Sequence, residues 1–353
     1  MILFRSVQSN DIKPLKALAK ASDLFVSTLL EDPLYLSNKI ERSQSSFMQN
    51  VVAPSDESYL FVLEDSGTGQ LIGTGGINAL AGNKAPFYSF RHDIKIHSSH
   101  ELNVHNRVYA LTLNHDLSDH SQLCSFYITP ELADSDYSSL ITLSRLIYMV
   151  LSAERFAKQW MVVLPGVVDQ QGNAPFWDHV GRKFLGIDYK QVEYYNSTHE
   201  KTFIAEMMPY HPLYIALMNE QAQKAIGLVD HDVQAECSLL NEQGFKLGKY
   251  VGIFDAGAIL TSSSDSITLA DKIMPISLQV NHTTQSTQSF LVAIKEKNDF
   301  KSCLLNGVLI DKQLMVSAEA IKELNVPEQA SVFAVALHRG DHIDEISVKE
   351  INR

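Results

Sequence analysis

The absences in this sequence narrow it first. No run of about eighteen consecutive apolar residues occurs, which excludes a membrane-spanning helix. The three cysteines, Cys124, Cys237 and Cys303, are scattered and share no metal-ligand spacing, as expected of a reduced, cytoplasmic setting. The histidines are spread through the chain, and no metal site is expected. Lys and Arg form no stripe, and 41 acidic against 29 basic residues give a net charge of −12. Neither nucleic acid nor a membrane is an expected partner. No G-x-S-x-G elbow supports a serine hydrolase. Gly73-Thr74-Gly75-Gly76 follows a hairpin strand and precedes no helix, which argues against a nucleotide loop. Met1–Val7 is a short apolar run followed at once by a polar helix start, and is not expected to be a signal peptide.

What remains is an ordinary globular mixture. The chain of 353 residues, 45% hydrophobic and 20% charged, is long enough for two or three domains. Ile2, Phe4 and Ser6 alternate with Leu3, Arg5 and Val7 as a strand, and Asn10-Asp11 supplies a helix N-cap. A helix is predicted over 34–49, with Leu36, Ile40 and Phe47 near one face. The run 58–64, the turn Asp65-Ser66-Gly67-Thr68-Gly69 and Leu71-Ile72-Gly73 read as a hairpin. Strands follow at 108–113 and 123–128, then a long helix over about 138–156 and a short buried strand at 161–164. This order is α+β rather than a strict βαβ alternation.

Two stretches look alike. Phe176-Trp177-Asp178-His179-Val180-Gly181 leads to a strand-like run through Tyr194, and Leu239–Phe245 leads into 250–254. Both read as a helix ended by glycine and re-entering a strand, which suggests two related half-units. The small-polar stretch at 261–264 is the best boundary, and a second such stretch follows at 282–289. Beyond the first, strands at 290–294, 303–305 and 332–336 with one helix at 318–324 predict a small β domain. The expected division is 1–200, 201–264 and 265–353.

Several phrases then fit together. Lys39-Ile40-Glu41-Arg42, Phe61–Ser66, Glu101–Asn106, Leu123–Tyr127 and Ala174–Trp177 resemble, in order, stretches of arginine N-succinyltransferases. So do Glu206–Pro209 with His211–Tyr214, and Ile253–Gly257. The resemblance implies an acyl-CoA N-acyltransferase fold: a mixed sheet with flanking helices, followed by a small β-barrel-like domain. It implies transfer of a succinyl group from succinyl-CoA to the α-amine of arginine, a step in arginine catabolism, with ornithine accepted by some relatives. It also implies a homo-oligomer or a pairing with a homologous subunit.

Aminolysis of a thioester sets the chemistry. The amine, of reference pKa roughly 8 or above, must lose a proton. Its nitrogen must come within about 3–3.5 Å of the carbonyl carbon. In the implied fold the donor lies in a gap between splayed strands, its pyrophosphate on the amides that open the next helix. That places the donor along 124–128 and its phosphates against the loop 131–139, with Phe126 and Tyr127, then Ser138 and Ser139, as the donor-binding residues. Asn103 and Asn106 are candidates for polar groups of the acceptor. The family's proton donor is a histidine in a segment resembling Ile226–His231. In an ungapped comparison Asp230 falls on that position and His231 is next. Because histidine suits the role, His231 is the expected catalytic residue, given a small local shift of register.

Two departures stand against this. The family's phosphate loop, of the type Arg-x-x-Gly-x-Gly, is replaced by Ala133, Asp136 and Ser138 at the matching positions. Glu131, Asp134 and Asp136 put carboxylates at a helix start, where Asp134 or Asp136 is the expected N-cap and competes with phosphate. In addition, Ser22–Thr28 carries Leu24 and Phe25 where the family has glycines, narrowing the acceptor pocket. The alternative reading is therefore a binding or partner subunit that kept the fold and lost donor affinity.

Overall fold

The structure, a computed structural model, describes residues 1–21, 30–82, 85–133, 135–169, 171–198, 202–280 and 288–337. The Leu24 and Phe25 departure and Asp134 lie outside the described residues.

The chain opens with β1 (Ile2–Ser6), α1 (Ile12–Ala21) and α2 (Pro33–Met48). Then come β2 (Ser58–Asp65), β3 (Gln70–Asn78), β4 (Ser89–Ser99), β5 (Val104–Asn114) and β6 (Ser121–Ile128). α3 (Asp136–Leu151) and β7 (Gln159–Val163) follow. A helical stretch comprises α4 (Pro175–His179), α5 (Gly181–Leu185), α6 (Tyr189–Thr198) and α7 (Thr202–Met207). Next are β8 (Leu213–Tyr214), α8 (Glu220–Ala225), α9 (Gln234–Glu242), β9 (Lys246–Val251) and β10 (Ala258–Ser263). The chain continues through β11 (Met274–Val280), β12 (Gln288–Lys295), β13 (Phe300–Ile310), β14 (Gln313–Val316), α10 (Ala318–Leu324) and β15 (Ser331–Leu337).

All these strands join one hydrogen-bonded sheet in the order β12-β15-β11-β14-β13-β1-β2-β3-β6-β7-β10-β9-β4-β5-β8. β12 also pairs with β13, which closes β11 to β15 into a small barrel around Leu278, Phe290, Val292 and Leu314. Closure removes the exposed edges that a five-stranded sheet would otherwise present. Most neighbours are antiparallel; β6 with β7 and β11 with β14 are parallel. The β2–β3 turn forms where the sequence places it. Asp65 accepts hydrogen bonds from the Gly67 amide at 3.0 Å and the Thr68 hydroxyl at 3.0 Å, and Gly69 supplies a φ of 71°.

Helices cover both faces of β1, β2 and β3. On one, Leu15 and Leu18 of α1 and Leu36 and Ile40 of α2 pack on Leu60, Val62 and Leu71. Burying each such side chain contributes about 1.5–3 kcal/mol. On the other face lies α3, buried continuously from Leu140 to Met149. It fits closely because β3 is glycine-rich: a Cβ at Gly75 would stand 2.9 Å from Ile141 Cγ2 and 3.0 Å from Arg145 Cδ. The Gly73–Gly76 run is thus a seat for a helix.

Three sequence readings need correction. The strand-like run through Tyr194 is helical, α5 and α6, so this pair of segments carries no repeat. The left-handed helix stop there is Gly186, φ 70°, whereas Gly181 is required because a Cβ would meet the buried Trp177 ring at 2.1 Å. In the second segment the reading holds: Gly244, φ 95°, ends α9, and Phe245 enters β9. β4 went unread because His92, Asp93, Lys95 and His97 interrupt its apolar residues. It and β5 extend as an arm on which Ile94 and Ile96 are exposed. Thr261–Ser263 are the end of β10, paired with β7, and the next strand, β11, begins at Met274.

Candidate active site

β6 and β7 run side by side only where Ser121, Gln122 and Leu123 pair with Trp160, Met161 and Val162. Beyond that they part. β6 keeps its other edge on β3, but Gly76 faces Cys124 while Thr74 faces Tyr127, so β6 carries one extra residue. Ser125 absorbs this bulge with a left-handed φ of 51°, and Thr74 Oγ1 donates to its carbonyl at 2.8 Å. From the α2 side, Lys39 Nζ donates to Ser125 Oγ at 3.0 Å. The bulge turns β6 away from β7 and leaves its β7-facing edge without a strand partner past Leu123 among the described residues.

A cavity of about 340 Å³ opens in this gap. One wall is Cys124, Ser125 and Phe126; the other is Val163, Leu164 and Pro165, at and just past the end of β7. The second wall is a knot of backbone. Asp255, buried in the β9–β10 turn, accepts from the amides of Gly166 at 2.7 Å and Gly257 at 2.8 Å. Gly227 N–H donates to Ala256 O at 2.8 Å, and Asp230 N–H donates to Pro165 O at 2.9 Å. Burial raises the Asp255 carboxyl, while the two amides act in the opposite direction. The Tyr189 hydroxyl, 3.4 Å from Asp255 Oδ2, is held well above the usual phenol range by burial and the Asp255 charge.

The floor is an ion pair. Arg145 of α3 and Glu236 of α9 are 0% and 4% exposed, and both line the cavity. Arg145 Nη2 donates to Glu236 Oε1 at 2.7 Å and to Thr142 Oγ1 at 3.1 Å. Its Nη1 donates to Cys124 O at 3.3 Å, and the guanidinium lies over the Phe126 ring, 5.4 Å from the centroid. Burial raises the Glu236 carboxyl; Arg145 offsets part of that.

Past Ile128, β6 leads to the start of α3. The cap there is Ser135, not a carboxylate as expected: its Oγ accepts from Tyr137 N–H at 3.3 Å, and Asp136 is an exposed first-turn residue. A hydroxyl cap satisfies an amide without cancelling the positive end of the helix dipole.

The predicted residues divide. Phe126 lines the cavity. Tyr127, next along the strand, points to the opposite face and packs with the α1–α2 cluster; burial and the Glu131 charge raise its phenol. Ser138 and Ser139 lie half-buried in the first turn of α3. Asn103 and Asn106 sit exposed at the far end of the β4–β5 arm, Asn103 in a left-handed turn with φ 48°, and neither lines the cavity. His231 is also displaced from its predicted place. Its side chain is 99% exposed beside Asp232, and the neighbouring Asp230 N–H is tied to Pro165 O. Asp230 does not line the cavity, but its charge acts on Tyr189, which does, and its Oδ1 accepts from the Asp232 amide. Arg145 and Glu236 were missed. The available signal was an arginine inside Leu140–Leu151, since a charge within an apolar helix must be paired.

A gap between parallel strands that leads to the N-terminus of a long helix is the arrangement that the resemblance implied for an acyl-CoA-dependent N-acyltransferase. The model of the family described as "Arginine N-succinyltransferase beta subunit" matches residues 2–269. Arginine N-succinyltransferase subunit alpha of Pseudomonas aeruginosa is 36% identical over 96% of this chain and 100% of its own length. The arginine N-succinyltransferase of Photorhabdus laumondii is 31% identical over 96% and 98%. The solved structure of arginine/ornithine succinyltransferase subunit AI from Pseudomonas aeruginosa superposes with a TM-score of 0.86 at 34% identity, covering 95% of this chain and 98% of that one. The chain belongs to the arginine N-succinyltransferase family.

Proposed function

We propose that this chain transfers a succinyl group from succinyl-CoA to the α-amine of arginine, ornithine being the alternative acceptor, in the cytoplasm. The opening between β6 and β7 beyond Leu123 carries the reading, because it offers unpaired strand backbone to an extended thioester arm. Phe126 walls that arm, and the first turn of α3, with Ser138 and Ser139, receives the pyrophosphate. A thiol-release assay with succinyl-CoA and arginine is the test. No turnover together with no binding of the thioester would favour the alternative of a non-catalytic subunit.

In an ungapped comparison Asp230 falls on the family's proton-donor position, and His231 faces solvent. His231→Ala is therefore expected to leave turnover near normal. A fall of about 10²-fold or more would return proton handling to His231. At the helix start, Asp136→Gly is expected to tighten CoA binding about two- to fivefold at low salt, from removal of one carboxylate beside the phosphates. Unchanged affinity by titration calorimetry would show that the charge does not oppose the donor.

The subunit designations of the relatives support assembly as a homo-oligomer or with a homologous subunit. The β4–β5 arm, with Ile94 and Ile96 exposed at 54% and 62%, is the surface suited to such a partner. Sedimentation of Ile96→Asp against the unaltered chain would decide whether the arm carries the contact.

A further inference from the structure

We propose that Glu236 receives the cationic amine of the acceptor and takes the proton it must lose, with Arg145 and Thr142 as positioning residues. The proposal rests on the aminolysis reading above and adds to it the group that recognises the nucleophile.

The geometry begins with an asymmetric carboxylate. Oε1 of Glu236 accepts from Arg145 at 2.7 Å and from Thr142 at 3.3 Å, both on α3. Among the described residues no group hydrogen-bonds Oε2, and Oε2 is not one of the buried oxygens left without a partner. Since Glu236 lines the cavity, Oε2 is the oxygen that faces it. A carboxylate held by one oxygen and open at the other is a ready acceptor for an ammonium N–H.

Location gives the second argument. The guanidinium that fixes Oε1 also donates to Cys124 O, on the first residue of β6 beyond its pairing with β7. One planar group therefore spans from the carboxylate to the mouth of the donor gap. An amine on Oε2 stands beside the place where the thioester carbonyl arrives.

Charge gives the third. Among the described residues the carboxylates on the cavity wall are Glu193, Glu236 and Asp255, and Arg145 is the cation there. Both Asp255 oxygens are engaged by backbone amides, and Tyr189 faces them. Carboxylates outnumber the cation on the described wall, an arrangement that suits a cationic acceptor better than an acidic one. Burial also raises the Glu236 carboxyl toward the range where a base works best.

The step balances as follows. The ammonium gives one proton to Oε2. The freed lone pair forms the C–N bond at the thioester carbonyl, and the C–S bond breaks with its electron pair leaving on sulfur. The second amine proton ends on that thiolate, so the products are the amide, the free thiol and one proton on Glu236 that passes to solvent.

Glu236→Gln tests the assignment, because the amide keeps the size and its oxygen can still accept from Arg145. The expected result is a fall in kcat/KM for arginine of about 10²-fold or more, with KM for succinyl-CoA unchanged. Arginine binding measured by calorimetry without any donor should weaken about tenfold or more. Glu236→Asp should recover part of the binding. An unchanged arginine Kd and KM in Glu236→Gln, while the unaltered chain releases thiol, overturns the Glu236 assignment alone. So does a variant that only melts earlier and keeps its arginine Kd. If Glu236→Gln fails to fold, Glu236→Asp is read the same way, and an unaltered arginine Kd there overturns the assignment. An unaltered chain that neither releases thiol nor binds arginine instead removes the aminolysis reading and the Glu236 role with it.

Discussion

Arg145→Leu is expected to lower the unfolding free energy by about 3–5 kcal/mol, because it strands Glu236 as an uncompensated buried charge. Both partners are largely enclosed, at 0% and 4% exposure, so water replaces the lost hydrogen bond to Glu236 Oε1 only poorly. The substitution also removes the donors to Cys124 O and Thr142 Oγ1. Urea unfolding at neutral pH measures the effect. The double variant Arg145→Leu with Glu236→Leu should regain most of the loss, since two apolar side chains of similar bulk need no partners. A single variant within about 1 kcal/mol of the unaltered chain would mean that the pair is solvated, as surface ion pairs are.

The second large effect is expected at Gly257. A methyl there would put Cβ 2.3 Å from Leu164 O and 2.5 Å from Gly166 N. Both neighbours are backbone, and both are fastened: Leu164 N–H donates to Ala258 O at 2.9 Å, and Gly166 N–H to Asp255. Neither can move aside by rotating a side chain. Gly257→Ala should therefore destabilise by about 1–3 kcal/mol or more and push Leu164 and Pro165 into or away from the cavity they line. Thermal melting and the thiol-release rate should fall together. A variant that melts normally would show that this turn slides freely, and the rigid second wall would have to be abandoned. Gly69, by contrast, has nothing within 4 Å of its Cβ position, so only its positive φ resists substitution there.

Much of the architecture was legible in periodicity. α2, α3 and α10, the β2–β3 hairpin and the strands at 290–294 and 332–336 follow from apolar residues at helical or alternating spacing between turn residues. β4 was not legible. Its outer half alternates Ile94 and Ile96 with Asp93, Lys95 and His97, but both isoleucines are exposed, so the alternation marks no core face. α6 was misread because Tyr189, Val192, Tyr194 and Tyr195 are β-favouring residues that tertiary packing holds in a helix; Val192 is buried against the Trp177 cluster. The N-cap of α3 fell to Ser135 although carboxylates flank it, a choice made among neighbours of similar propensity.

The site divides along the same line. A strand's alternation already determines that Phe126 and Tyr127 face opposite ways, but which of them meets a cavity depends on where β7 leaves β6. Asp230 is tied by one backbone hydrogen bond to Pro165, 65 positions away, while His231 is left in solvent. Arg145 and Glu236 are 91 residues apart and meet only because α3 and α9 pack together. By itself, then, the sequence determined the element order and the family, since local spacing and ordered phrases are properties of the chain. The contents of the cavity were decided by the tertiary structure, because contact between distant residues is set by how helices and strands pack and not by any local pattern.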